Sequence, residues 1–425
     1  MAIEERIILD ASAGKKTIFA ADAVFPVSSG AVRGGAVLVE DGRIVSVGEF
    51  SEVRGAEPDA EVREYSGCVI LPGAVNTHAH LSFRREDGPG YAPFSEWLGN
   101  LIERLEENEK RLAENARDGA REAVEAGTTF MAESSPYGGC LPYLAESGMA
   151  GTCFAEFFPH ESGDGTPEGA VEFIMGRVRE LNEGLPPRVD ARVSVHSPYT
   201  VDPESARLAA RRTREAGERL AIHLSESPEE YEFIMKGTGG LADIFSSNPW
   251  GGTGKTPVKY GEEIELLAPQ TIAAHLATGV GDKEVEILRR SGVAAAHCPR
   301  SNENLGCDVS PVPAMMRAGV RVGMGTDGLW SSQSLNLFEE TLVAVNLHGF
   351  DGETGLRLAT LEGARAIGIE GETGSIEAGK WADFAVVEVS PSGLDAEREV
   401  LEAAAENGAA ATVVGGRVIH ERVGG

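Results

Sequence analysis

Eight short apolar runs with β character recur along the middle of the chain: Val69–Thr77, Thr128–Glu133, Thr152–Phe158, Val193–His196, Leu220–Leu224, Thr271–His275, Val293–His297 and Val320–Gly325. Each is followed by a stretch of helical periodicity or, once, by a long glycine-rich segment. Strands that read as continuous apolar runs are buried on both faces, and eight alternating β and α units are what a closed (β/α)8 barrel of the TIM type requires. An open doubly wound sheet shows similar alternation, but it predicts a glycine-rich phosphate turn after the first strand, and none follows Thr77. The stretch from about Phe94 to Ala126, rich in Glu and Arg, reads as one long helix with a solvated outer face.

The two ends of the chain share a different design. Val37–Val45 alternates around Asp41-Gly42, and Val413–Ile419 repeats the pattern around Gly415-Gly416; both dipeptides suit tight hairpins. The fold class expected is therefore α/β, with residues 1–70 and 370–425 paired into a composite β-sandwich domain and residues 71–369 forming the barrel. A chain of 425 residues, 42% hydrophobic, is long enough to bury both cores.

Charge and cysteine usage exclude several classes. A formal net charge of -29 opposes a sequence-independent grip on phosphate backbones, so neither nucleic acid nor an anionic membrane is expected as a partner. The five cysteines, Cys68, Cys140, Cys153, Cys298 and Cys307, contain no Cys-x-x-Cys pair, which suggests neither a disulfide framework nor a thiolate zinc site. The start, Met1-Ala2-Ile3-Glu4-Glu5-Arg6, is acidic where a signal peptide is basic, and no apolar run reaches membrane-spanning length. The expected location is the cytoplasm.

The residues able to do chemistry stand at the ends of the apolar runs. His78-Ala79-His80 closes the first, and alternation along a strand puts both imidazoles on one side. His223 lies at the end of the fifth run and Asp327 just past the eighth. Three neutral imidazoles and a carboxylate form a shell for one divalent ion, zinc in the first instance and ferrous iron as the alternative, with a position left for water. All four fall at the C-terminal ends of strands, the face on which barrel enzymes build active sites. A metal there acidifies water and supplies a nucleophile near neutral pH. Glu226, three residues after His223, is the candidate proton carrier; His275 is positioned to orient the water, Asp327 doubles as ligand and proton acceptor, and His196 reaches the same mouth. His297 reads as a supporting or structural residue, and His160, His348 and His420 as outside the chemistry. Gly251–Thr256 looks like the end of a phosphate-binding loop, but Pro249 stands where that loop needs glycine. The His-x-Glu and Pro-Cys-x-x-Cys ligands of cytidine-deaminase folds are absent.

Leu71-Pro72-Gly73-Ala74-Val75-Asn76-Thr77-His78-Ala79-His80, His223-x-x-Glu226, His297-Cys298-Pro299-Arg300-Ser301-Asn302 and Gly325-Thr326-Asp327-Gly328, followed by Leu335–Glu340, resemble the amidohydrolase superfamily in its mononuclear aminohydrolase branch. Gly374–Asp383 resembles the segment by which those enzymes return from barrel to β domain. The binuclear members use a carboxylated lysine on the fourth strand, and Arg192–Thr200 contains no lysine, which implies one metal. Within the branch, Phe94-Ser95-Glu96-Trp97-Leu98 and Val195-His196-Ser197-Pro198-Tyr199 are similar to deaminases of adenosine derivatives. That resemblance implies a purine nucleoside substrate, with Trp97 against the purine and His196 and Glu106 on the ribose hydroxyls, and a homo-oligomer, in the simplest case a dimer. Ser134-Ser135-x-Tyr137-Gly138 and Thr326–Asn336 look most like the aminodeoxyfutalosine deaminases of menaquinone biosynthesis. The alternatives are deamination of S-adenosylhomocysteine, methylthioadenosine or adenosine and, from another class, a triazine chlorohydrolase or imidazolone-type hydrolase. Aminodeoxyfutalosine carries a benzoate, which calls for a cation; Arg84, Arg85, Lys236, Lys255 and Lys259 are the candidates.

Overall fold

A computed structural model describes residues 15–84, 88, 90, 92–107, 109–159, 164–246, 249–389 and 396–422, except for the side chains of 105–107, 109–110 and 113. The chain opens with β1 (Lys16–Val24), β2 (Val32–Arg33), β3 (Gly35–Glu40), β4 (Arg43–Glu49) and β5 (Glu61–Pro72). It continues through β6 (Ala74–His80), β7 (Thr128–Pro136), β8 (Ala150–Phe157), β9 (Val189–Val195), β10 (Leu220–Leu224), β11 (Thr271–His275), β12 (Ala294–His297), β13 (Val322–Met324) and β14 (Asp327–Gly328). It closes with β15 (Phe384–Glu388), β16 (Ala411–Val414) and β17 (Arg417–Glu421).

Strands β6 to β13 pair in parallel, each with its neighbour in sequence, and β14 pairs in parallel with β6, Asp327 opposite Ala79 and Gly328 opposite His80. The ring closes through that last pairing. β13 and β14 are thus two pieces of the eighth barrel strand, interrupted at Gly325-Thr326. The barrel strands are buried along almost their whole length, which accounts for their continuous apolar runs. Small residues, Ala221, Ala274, Ala294 and Ala296, pack with Val75, Phe130, Phe154 and Ile272 in one cluster. A larger cluster joins the strands to the surrounding helices.

The ends of the chain form a second sheet in the order β17-β16-β15-β5-β1-β3-β4, with β2 paired to β1. Both expected hairpin turns are present. Asp41 and Gly42 have φ of 50° and 78°, and Gly415 and Gly416 have 54° and 73°, the left-handed pair that a two-residue turn of this kind demands. Phe19, Val37, Ile70, Phe384, Val386 and Val413 share one apolar cluster of this sheet, while Ile18, Leu38 and Val53 of the following helix Phe50–Ala56 share another.

The two sheets are joined at Gly73, between β5 and β6. A Cβ built on Gly73 would lie 2.1 Å from Cγ2 of Thr129, so only glycine lets the strand pass from one sheet to the other at that packing distance. Arg188 and Asp383 form a second junction, a guanidinium from the barrel end bonded to a fully buried carboxylate beside β15.

The charged stretch after β6 is two helices, Phe94–Glu107 and Glu109–Glu125, instead of the single one expected. They serve different surfaces: Phe94, Trp97, Leu98 and Leu101 of the first face the barrel mouth, while Ala116, Ala120 and Ala123 of the second pack against the barrel wall. Among the described residues no helix is long and apolar enough to cross a membrane.

Candidate active site

His78 and His80 emerge from the end of β6 together, as alternation along a strand dictates. Asn76, two residues earlier, accepts from His78 N at 3.2 Å and Thr326 N at 3.3 Å, and donates to the Thr326 hydroxyl at 2.8 Å. One side chain thereby fastens the first strand to the break in the eighth and brings Asp327 over the two histidines. Nε2 of His80 lies 3.3 Å from Nε2 of His223, and Oδ1 of Asp327 lies 3.4 Å from Nε2 of both His78 and His80. A tetrahedral ion about 2.0–2.1 Å from imidazole nitrogens sets neighbouring ligand atoms roughly 3.3 Å apart, so these separations fit the edges of such a shell. Buried Nε2 of His78 has no hydrogen-bond partner, as a nitrogen reserved for an ion would not.

The surrounding groups fix which atoms face the centre. Nδ1 of His80 bonds the Ser134 carbonyl at 2.8 Å and Nδ1 of His223 the His196 carbonyl at 2.9 Å. A carbonyl only accepts, so Nδ1 carries the proton and Nε2 is left as a lone-pair donor. Asp327 Oδ2 accepts from Ser301 at 2.6 Å and Ser331 at 2.5 Å, which leaves Oδ1 for the histidines. Burial holds His78 and His223 below their ordinary range and His80 at about 4, so all three imidazoles are neutral at pH 7. Burial acts to raise Asp327, but the imidazoles of His78 and His80, each 3.4 Å from Oδ1, outweigh it and hold the carboxyl well below its ordinary range.

Glu226 and His275 lie beside this centre, with Glu226 Oε1 3.6 Å from His275 Nε2. His275 Nδ1 bonds Asn302 Oδ1 at 2.9 Å. Asn302 and Ser301 both belong to the short helix Pro299–Asn304, which is anchored from behind: Arg300 bonds Glu340 through its backbone N at 2.9 Å and through Nε at 2.5 Å. Glu230 accepts from Ser225 N at 2.9 Å and Glu226 N at 2.7 Å and so fixes the turn that presents Glu226. Burial raises Glu226 well above the carboxylate range, with Asp327 and Glu229 adding to it; burial raises Glu230 to about 8. Ser225, His275 and Asp327 have φ of 54°, 72° and 56°, a left-handed backbone that non-glycine residues rarely adopt. Such strain persists where the surroundings over-determine it, and each of the three stands at the end of a barrel strand.

These groups open onto a cavity of about 500 Å³ whose wall includes Phe94, Trp97, Leu98, Phe158, Tyr199 and Phe245. Trp97 lines the cavity and donates its indole N–H to the Trp330 carbonyl at 3.2 Å. His196 also lines the cavity and is tied through Nδ1 to Thr200 Oγ1 at 2.8 Å. Of the positions singled out in the sequence, His78, His80, His223, Asp327, Glu226, His275, His196 and Trp97 are thus gathered at one mouth. The Glu106 side chain, Arg85 and His160 lie outside the described residues. His297 pairs with His348, their Nε2 atoms 3.2 Å apart, and His420 belongs to β17; none of the three lines the cavity.

The four described candidate cations do not reach the cavity. Arg84 pairs with Asp118 at 2.7 Å, Lys236 with Glu232 at 3.8 Å, Lys259 with Glu262 at 2.6 Å and Lys255 with Glu263. In so acidic a chain each of these four finds an acidic neighbour close at hand. Sequence reading passed over Glu156 and Glu230, and it took Ser301, Asn302 and Glu340 only as members of motifs, without roles. Glu156 is a single acid within an apolar run, and Glu230 one acid among several after Leu224, so neither stands out before the chain is folded.

The amidohydrolase family model matches residues 69–419. A 5′-deoxyadenosine deaminase of Methanopyrus kandleri is 32% identical over 379 residues, 85% of this chain and 82% of that protein. A 5-methylthioadenosine/S-adenosylhomocysteine deaminase of Symbiobacterium thermophilum is 30% identical over 414 residues, 91% of this chain and 89% of that protein. Among solved structures, Helicobacter pylori aminofutalosine deaminase in complex with methylthio-coformycin superposes with a TM-score of 0.80 at 22% identity, covering 95% of this chain and 99% of that one.

Proposed function

The chain belongs to the amidohydrolase family, and from that premise we propose that it removes the exocyclic amino group from the adenine ring of a nucleoside by hydrolysis. The observation that carries this reading is the convergence of His78, His80, His223 and Asp327 on one point, with Glu226 and His275 beside it, at the mouth of an aromatic-walled cavity. The shell spacing supports a single zinc ion, which when bound would acidify water and polarise the ring carbon under attack. Deamination adds water oxygen to that carbon and breaks its bond to nitrogen. Glu226 takes a proton from the attacking water and delivers it to the adjacent ring nitrogen, a transfer suited to a carboxyl whose proton affinity burial has raised. His275, held by Asn302, hydrogen-bonds the attacking oxygen, and Asp327 receives the second water proton, which leaves with ammonia.

For the group at the 5′ position, the wall of Phe94, Trp97, Leu98, Phe158 and Phe245 supports an apolar substituent. The benzoyl ring of aminodeoxyfutalosine suits such a wall, and that compound is the substrate we propose first. The second reading is a 5′-deoxy- or 5′-methylthioadenosine, which the relatives above are described as deaminating. It is favoured by the four candidate cations being paired elsewhere, since neither compound carries a carboxylate. The five thiols, none in a disulfide, support a reducing cytoplasm as the setting.

The test is ammonia release by zinc-loaded protein from aminodeoxyfutalosine, 5′-deoxyadenosine, methylthioadenosine, S-adenosylhomocysteine, adenosine, guanine and a chlorotriazine. A kcat/KM for aminodeoxyfutalosine about tenfold above the rest supports the first reading, and preference for a neutral 5′ group supports the second. Turnover of the triazine alone overturns both.

A further inference from the structure

Trp330 stands behind the cavity wall, outside its lining, yet the elements that build the wall and the metal shell meet on it. It lies three residues past Asp327, 2% exposed, in a turn where Ser331 N and Ser332 N donate to the Gly328 carbonyl at 3.0 and 2.9 Å. Its indole N–H donates to the Arg84 carbonyl at 2.7 Å, in the segment that follows His78 and His80. Its own carbonyl accepts the indole N–H of Trp97 at 3.2 Å, from the helix Phe94–Glu107. Its ring stacks on Phe83, with centroids 4.4 Å apart and planes 7° from parallel, and Phe83 stacks on His80 at 5.2 Å and 23°. His80 faces His223 at 5.4 Å and 9°, so two imidazoles of the shell, Phe83 and Trp330 form one column of rings. Gly328 makes room for it: a Cβ there would lie 2.6 Å from Phe83 Cδ2 and 3.0 Å from His80 Cβ. Core packing alone would ask only for apolar bulk. A large aliphatic residue would fill the volume but supply neither the donor for Arg84 nor a ring face for Phe83.

We propose that Trp330 is a positioning residue that fixes the aromatic wall of the cavity at a set distance from the metal shell. Phe83 and Trp97, the two side chains it holds, both line the cavity, and Ser331, the next residue, bonds Asp327 Oδ2. Two hydrogen bonds and the ring column thus make one contiguous path from Asp327 and His80 to the helix Phe94–Glu107. Energetic coupling between separate sites is carried by packed and hydrogen-bonded contacts of this kind. Ordering of the shell on zinc binding should therefore reach that helix through Trp330. A base held against the wall reacts only when its ring carbon stands within reach of the attacking water, and a misplacement of about 1 Å can cost on the order of a hundredfold in rate. This kinetic consequence rests on the nucleoside reading above; the coupling of wall to shell does not.

The experiment is hydrogen–deuterium exchange on metal-free and zinc-loaded wild type, W330F and W330L, with zinc content and melting midpoint recorded for each. In wild type, zinc should slow exchange by about threefold or more in Phe94–Glu107 as well as in Ala74–His80. W330L should keep the slowing in Ala74–His80 and lose it in the helix. W330F, which keeps a ring on Phe83 and loses the bond to Arg84, should retain part of it. Steady-state deamination of 5′-deoxyadenosine adds a second readout: kcat should fall about three- to tenfold in W330F, the worth of one hydrogen bond, and further in W330L, with KM changed less. A role in packing alone would lower the melting midpoint without separating helix from strand or kcat from KM. If no nucleoside is deaminated, the reaction assignment falls and exchange alone decides the coupling; if W330L does not fold, W330F decides it. Absence of zinc-dependent slowing in the wild-type helix, full retention of that slowing in W330F and in any folded W330L, or loss of zinc from either folded variant overturns the proposal.

Discussion

The imidazoles of His78, His80, His196, His223 and His275 are packed where protonation forfeits solvation that water no longer provides, and burial lowers all five. His80 falls from its ordinary 6.5 to about 4. Between those values the unfolded chain binds more protons than the folded one, so stability is complete above pH 6.5 and declines as pH falls toward 4. The loss is on the order of 3 kcal/mol for His80 alone. Metal-free protein should therefore unfold at lower denaturant concentration at pH 5 than at pH 7; an unchanged midpoint would contradict this burial. Glu226→Gln keeps the shape of the site and removes the carboxyl that we propose carries the proton. It should lower kcat by about 10²- to 10⁴-fold with metal content unaltered, as followed by ammonia release and elemental analysis. At this scale the sequence was legible where one local rule sufficed: His78 and His80 alternate along a strand, and Glu226 follows His223 closely and lines the same cavity. Glu156 was not, because a single acid inside Thr152–Phe158 looks the same whether it meets solvent, a salt bridge or a substrate.

The elements of the site are held by a few polar anchors. Glu340 holds Arg300, and through Arg300 the helix Pro299–Asn304 that presents Ser301 to Asp327 and Asn302 to His275. Glu340→Ala removes the acceptor of the Arg300 Nε and backbone N–H groups and leaves the guanidinium paired with Glu339 alone, and we expect a loss of about 1.5–3 kcal/mol in stability. We also expect kcat to fall more than KM changes, measured by denaturation and steady-state kinetics on the same preparation. Glu230→Ala leaves the Ser225 and Glu226 backbone N–H groups without an acceptor. A cost of about 1–3 kcal/mol for a buried unsatisfied group, together with a loosened Glu226, should lower both the denaturation midpoint and kcat. An effect on stability with none on kcat would show that Glu230 supports the fold and not the catalytic turn. The strands and hairpins were readable from periodicity and from Asp-Gly and Gly-Gly turns. The break between the helices Phe94–Glu107 and Glu109–Glu125 was not, since it answers to two surfaces that exist only after the barrel has formed.

At the scale of the whole molecule, barrel and terminal sheet share a buried polar anchor. Asp383 is fully buried and satisfies Arg188, Thr373 and the N–H of Gly415 at once. Asp383→Ala should cost about 3–5 kcal/mol, and tryptophan fluorescence and far-ultraviolet circular dichroism should still report one coincident transition. Two separated transitions would mean that the sheets unfold independently. Pairing of the two chain ends was visible in the sequence as a repeated hairpin design. The route by which they are coupled to the site was not, because it runs through Gly73, where the constraint is the Thr129 side chain.

That route bears on how the protein comes into being. The strand carrying His78 and His80 is the outward extension of β5, and in the finished molecule β5 lies between β1 and β15. During synthesis β1 and β5 leave the ribosome long before β15, β16 and β17. Until they arrive, one edge of β5 presents unpaired backbone groups, the template from which chains stick to one another. The nascent enzyme therefore carries His78 and His80 on a strand whose support is half built until those later strands cover the edge.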